Sequence, residues 1–169
     1  MYRTTILSAL AALALSTAAA SAGASPGASV ARAAVGPYTT AHSGVVVDAG
    51  VNAAAHLVTT PSGSTIIQVT AQGLVPGGDY AAHIHYGACT DYLGHFQYVH
   101  PGPATRENEV WLDLDATATG RASDQVQVAA LDLTQTLSIV VHQHSNPDTG
   151  PGAGPPGPRI ACGNIELGA

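Results

Sequence analysis

The sequence predicts an all-β domain, a sandwich or barrel. Two observations carry this. Short runs with apolar and polar residues in alternation recur along the chain, and clusters of Gly, Pro, Asn and Asp separate them. No stretch carries the 3.6-residue apolar spacing of a long amphipathic helix. The predicted strands lie near Ser43–Asp48, Ala53–Thr60, Ser64–Gln72, Tyr80–Tyr86, Glu109–Asp115, Ser123–Ala130, Leu137–Gln143 and Arg159–Glu166. Between them, Gly87–Asn108 and Ser145–Pro158 are long and irregular. Segments of that length in a compact domain are usually functional or disordered.

Two strands constrain histidines. In Leu137–His142 the set Leu137, Ile139 and Val141 marks the core face, so His142 points outward, with His144 beyond it on the same side. In Tyr80–Tyr86 the set Ala82, Ile84 and Tyr86 faces one way, and His83 and His85 face the other. Alternate positions on a strand share a face, so His83 and His85 can reach one ion. His95 follows in the first irregular segment. These four imidazoles, from two strands and one loop, suit copper or zinc.

The N-terminus reads as an export signal over residues 1–22. Arg3 is its positive end, Ile6–Leu15 its apolar run, and Ala20-Ser21-Ala22 its small-residue cleavage pattern. The apolar run is too short for a membrane span, so no transmembrane segment is expected. Residues 23–37 are mostly Ala, Gly, Ser and Pro and read as a disordered lead-in, which leaves residues 38–169 for the folded domain. Cys89 and Cys162, an even pair in an exported chain, read as one disulfide. The chain carries a net charge of −6, with eleven acidic residues and no Lys. It lacks the basic stripe that nucleic acid or anionic membranes require.

Four pieces occur in a fixed order: His83-Ile84-His85, Cys89 to His95, Val140-Val141-His142, and Gly157-Pro158-Arg159-Ile160-Ala161-Cys162-Gly163. Gly73-Leu74 and Pro76-Gly77 precede them. In this order, from about Gly44 to Ile165, the chain resembles the copper–zinc superoxide dismutase family. The resemblance implies an eight-stranded Greek-key β-barrel that dismutates superoxide outside the cytoplasm. It makes His83, His85, His95 and His142 the copper ligands, pairs Cys89 with Cys162, and makes Arg159 the guanidinium that guides the superoxide anion. Arg suits that task because it stays charged and offers several donors to an oxygen anion.

The departures concern zinc. The loop after His95 holds only His100 where the family has further histidines and an aspartate. With Glu107 or Glu109 it offers at most a weak, makeshift zinc site, so zinc is left open while copper is expected. Without zinc another group must orient His95, and Asp91 and Glu107 are the nearby candidates in sequence. His42, His56 and His144 read as surface residues. Trp111 shares a face with Asp113 and Asp115 and is expected beneath a loop or at an interface. The segment after His142 is short and without Lys, so the family's charged steering loop is thin here. That keeps two alternatives open: a copper-binding barrel without useful catalysis, and a structural protein of the cell envelope.

Overall fold

The computed structural model describes residues 30–37, 50–91, 93–143 and 157–167. The expected signal segment, the expected strand Ser43–Asp48, His42 and His144 lie outside them. The described residues form nine strands and no helix: β1 Val30–Pro37, β2 Asn52–Thr59, β3 Ser64–Gln72, β4 Asp79–Tyr86, β5 Trp111–Asp115, β6 Arg121–Ala129, β7 Leu137–His142, β8 Arg159–Asn164 and β9 Glu166–Leu167.

All pairings are antiparallel and run in the order β5-β4-β7-β8-β1-β2-β3-β6, with β9 beside β1. β1 belongs to both halves of this path and joins two sheets, one of β6, β3, β2, β1 and β9, the other of β5, β4, β7, β8 and the end of β1. The expected all-β sandwich is present as two antiparallel sheets, while a closed barrel of eight strands is not what the described residues form. The path has eight strands, with β9 beside it, and stays open between β5 and β6, where the Asp113 backbone N–H bonds the Asp124 carboxylate at 2.8 Å.

A second correction concerns the lead-in. Val30–Pro37, assigned from composition to a disordered stretch, forms β1. Small side chains bury little area individually, but here Ala31 and Ala33 lie in the core, opposite Leu57 and Ala55 of β2. Ladder hydrogen bonds on both sides add what composition alone does not count.

The core fills the space between the sheets. Leu57, Ile67 and Val69 enter it from one side, and Ile84, Leu112, Leu114, Leu137, Ile139 and Val141 from the other. The outer faces of the sheets differ. β3 alternates buried and more open positions along its length, whereas every residue of β7 is buried. The segment that follows β4 contributes to that difference, with Cys89 packed against Val140 of β7 and His95 bridged to His85 of β4. Gly87 opens this segment at φ 74°, a left-handed conformation that other residues adopt only with strain.

Candidate metal centre

Cross-strand register builds the site in rows on the buried outer face. One row runs Trp111 of β5, His83 of β4, Val140 of β7 and Cys162 of β8. A second sets His85 beside Ser138 and Asn164, and a third sets Ala81 beside His142 and Arg159. The β7–β8 register slips between Val141 and His142, so Arg159 rather than Ile160 stands opposite His142. A bulge of this kind re-aims a side chain without disturbing the rest of the ladder. Here it brings the cation to the histidines.

The loop supplies the fourth imidazole. β5 flanks β4 only as far as the Trp111–His83 pair; beyond it the loop takes over the edge. Phe96 N donates to Ile84 O at 2.8 Å, Tyr86 N donates to Gly94 O at 3.1 Å, and His95 bridges to His85. Cys89 clamps the same loop to β8 through its disulfide with Cys162, and its N–H bonds Asn164 Oδ1 at 2.8 Å. The cysteines are 73 residues apart, a closure that stabilises the fold by about 4 kcal/mol in the chain-entropy model.

The outcome is a cluster of His83, His85, His95 and His142 whose ligand atoms all lie within 4.8 Å of one another. Ring centroids are 4.1 Å apart for His83 and His95 and 4.9 Å for His83 and His142. His83, His85 and His142 are buried, while the His95 side chain keeps 18% exposure, so the open side of the cluster lies over His95.

Hydrogen bonds fix the rings. His85 Nδ1 bonds Leu93 O and His142 Nδ1 bonds Gly157 O, each at 3.0 Å. A carbonyl oxygen only accepts, so both Nδ1 atoms carry the proton and both Nε2 atoms present a lone pair. Those two Nε2 atoms face each other at 3.2 Å. Protonation cannot relieve the contact at ordinary pH. Burial, followed by electrostatic interaction with His95 and Arg159, pushes His85 down to about 2, and burial likewise pushes His142 down to about 3. Two buried lone pairs held this close call for a cation between them. The donor set therefore fits a metal ion, and imidazole suits copper and zinc alike.

His95 is held by the carboxylate of Glu109 rather than by Asp91 or Glu107. Its Nδ1–H donates to Glu109 Oε2 at 2.7 Å, which leaves Nε2 as its remaining donor atom. Trp111 Nε1–H bonds the same oxygen at 2.9 Å, and Gln97 Nε2 bonds Oε1 at 2.9 Å. Burial opposes ionisation of Glu109, but these three donors outweigh it and hold the carboxyl below its ordinary value. The nearby candidates play other parts. Asp91 caps its own turn by accepting from Ala88 N at 2.7 Å, and Glu107 is exposed. Glu109 lies 14 residues from His95, and sequence proximity does not distinguish it from Glu107; its backbone bridge to Gln97 brings it in.

The remaining candidates are placed as follows. Arg159 Nη2 donates to Leu93 O at 2.6 Å, the carbonyl that also accepts from His85. His100 is exposed, bonds Gln97 Oε1 at 3.1 Å, and joins no metal-binding cluster among the described residues. With Glu109 committed to His95, Trp111 and Gln97, the makeshift zinc site finds no support. His56 is exposed on β2. Trp111 packs beneath the loop, with the Arg106 guanidinium 5.3 Å above its ring.

Comparison of the whole fold with solved structures finds similar folds, among them SOD-like proteins. A SOD-like protein from Bacillus subtilis matches with TM-score 0.59 and 14% identity, over 79% of this chain and 96% of that one. The chain has the fold of SOD-like proteins. The clock protein EA4 matches with TM-score 0.60 and 17% identity, over 83% of this chain and 95% of that one. A double mutant of the Bacillus subtilis protein matches with TM-score 0.54 and 16% identity, over 79% and 95%. No protein-family model matches the chain, and no curated protein matches it in sequence. Identities this low show the SOD-like fold alone, and the function rests on the site. Among the described residues no helix is long and apolar enough to cross a membrane.

Proposed function

We propose that the chain is an extracytoplasmic copper protein that dismutates superoxide, with His83, His85, His95 and His142 as the copper ligands and Glu109 in place of a zinc site. The observation that carries this reading is the pair of Nε2 lone pairs, from His85 and His142, facing each other at 3.2 Å inside a four-histidine cluster. Copper bound there would supply a one-electron couple, oxidising one superoxide to oxygen and reducing a second, with two protons, to hydrogen peroxide.

The chain's own residues do the rest. Leu93 O and Gly157 O hold the His85 and His142 rings in the tautomer that offers Nε2. Glu109 fixes His95 from behind and keeps a proton at its Nδ1. Arg159, opposite His142, puts a permanent positive charge beside the site in a chain of net charge −6. A local cation draws in a small anion more effectively than the net charge repels it, because the latter is screened over about 8 Å in physiological salt. The disulfide and the export-type N-terminus support a place outside the cytoplasm.

A second reading, copper binding without useful catalysis, has one observation in its favour. Arg159 already donates to Leu93 O at 2.6 Å, so part of its donor capacity is spent on the loop. Stopped-flow decay of superoxide separates the two. Copper-loaded protein is expected to outpace the same copper held by a chelator, and Arg159→Ala is expected to keep its copper while losing rate and ionic-strength dependence. A loaded protein no faster than chelated copper would leave the binding reading standing.

A further inference from the structure

We propose that Trp111 takes the oxidative damage when hydrogen peroxide meets the copper-loaded centre, and that its indole is thereby a modification site shielding the histidine ligands. This rests on the four histidines being a copper site, where peroxide is the product.

Position comes first. Trp111 is the cross-strand neighbour of His83, with ring centroids 6.0 Å apart. Its Nε1–H shares Glu109 Oε2 with His95, so it touches two of the four histidines, one by packing and one through a single carboxylate oxygen. It is buried and is the only Trp in the chain.

Chemistry comes second. The usual protein sinks for oxidising equivalents are thiols and thioethers. Here both cysteines are in the disulfide and the only Met is Met1, in the expected signal segment. The aromatic rings remain. Tyr86 and Tyr98 donate their hydroxyls to neutral carbonyls, of Gln97 at 3.0 Å and Ala129 at 2.9 Å. Trp111 instead donates to an anionic oxygen at 2.9 Å, which stabilises positive charge developing on the indole as it gives up an electron. The Arg106 guanidinium above the ring works the other way, but it is paired with both Asp113 carboxylate oxygens, at 3.0 and 2.8 Å, which offsets its charge.

The reaction balances. One indole C–H bond and the peroxide O–O bond break, a C–O bond forms on the ring, and the remaining hydroxyl leaves with the displaced hydrogen as water. The indole loses two electrons and the peroxide gains them.

The test uses full-length protein loaded with one equivalent of copper and exposed to stepwise additions of hydrogen peroxide. Peptide mass analysis, Trp fluorescence and retained copper are followed together. One added oxygen on the Trp111 peptide is expected before any on the histidine peptides, with fluorescence falling in parallel. Trp111→Phe is expected to bind copper, then oxidise at its histidine peptides and lose copper several-fold faster than wild type. Oxygen appearing first on peptides holding His83, His85, His95 or His142 would overturn the proposal, as would equal Trp111 oxidation in metal-free protein. Both results leave the copper reading intact. Failure of the wild type to take up copper would overturn both.

Discussion

The two sheets treat their outer faces differently. On β3 and β6 the outer positions, such as Gln68, Thr70, Ser123 and Gln125, are open to water. On β4 and β7 the equivalent positions are His83, His85, Ser138, Val140 and His142, all buried. Burying imidazoles is costly unless their nitrogens are bonded or ligated. The first sheet therefore spends its outer face on solubility. The second spends stability on a preorganised cluster, and the disulfide offsets part of that cost by holding the His95 loop down.

The largest way to expose this difference is acid. His85 and His142 sit far below their ordinary value in the folded protein, so between about 6.5 and their folded values the unfolded chain binds protons that the folded chain refuses. Stability is thus intact above about pH 6.5 and is lost as pH falls, by about 1.4 kcal/mol per pH unit for each histidine. Glu109, also depressed, adds a loss of the same sign at lower pH. Urea titrations of metal-free protein at pH 7.5, 6.0 and 5.0 check this. A flat profile would mean that the two rings are not buried as described.

A smaller effect is expected from Glu109→Gln, which removes the charge behind His95 while leaving its shape. Copper affinity, read by competition with a chelator, is expected to fall about 10–100-fold, the usual cost of losing such a partner. Unchanged affinity would show that His95 is held by something else. The smallest effect belongs to the open sheet. Gln68→Thr on β3 is expected to leave copper affinity unchanged and to shift stability by no more than about 0.5 kcal/mol. A larger shift would place a function on that face as well.

The same contrast explains what the sequence revealed. β3 is bounded at Ser64 and Gln72 as predicted, because a half-buried strand writes its alternation directly into its residues. The His83/His85 pair and the outward aim of His142 were legible for the same reason. β1 was not, because Ala31 and Ala33 are too small to signal burial and act only through their partners on β2. Glu109 was missed as the partner of His95 because a loop, not a strand, brings them together. The placement of Arg159 opposite His142 depends on a register slip that no local pattern announces.

The most direct test of the account is copper titration of the metal-free protein followed by electron paramagnetic resonance, in wild type and His142→Ala. The account predicts one copper per chain with hyperfine structure from several nitrogens, and loss of that stoichiometric site in His142→Ala. A wild-type spectrum showing oxygen ligands, or one unchanged by His142→Ala, would contradict it.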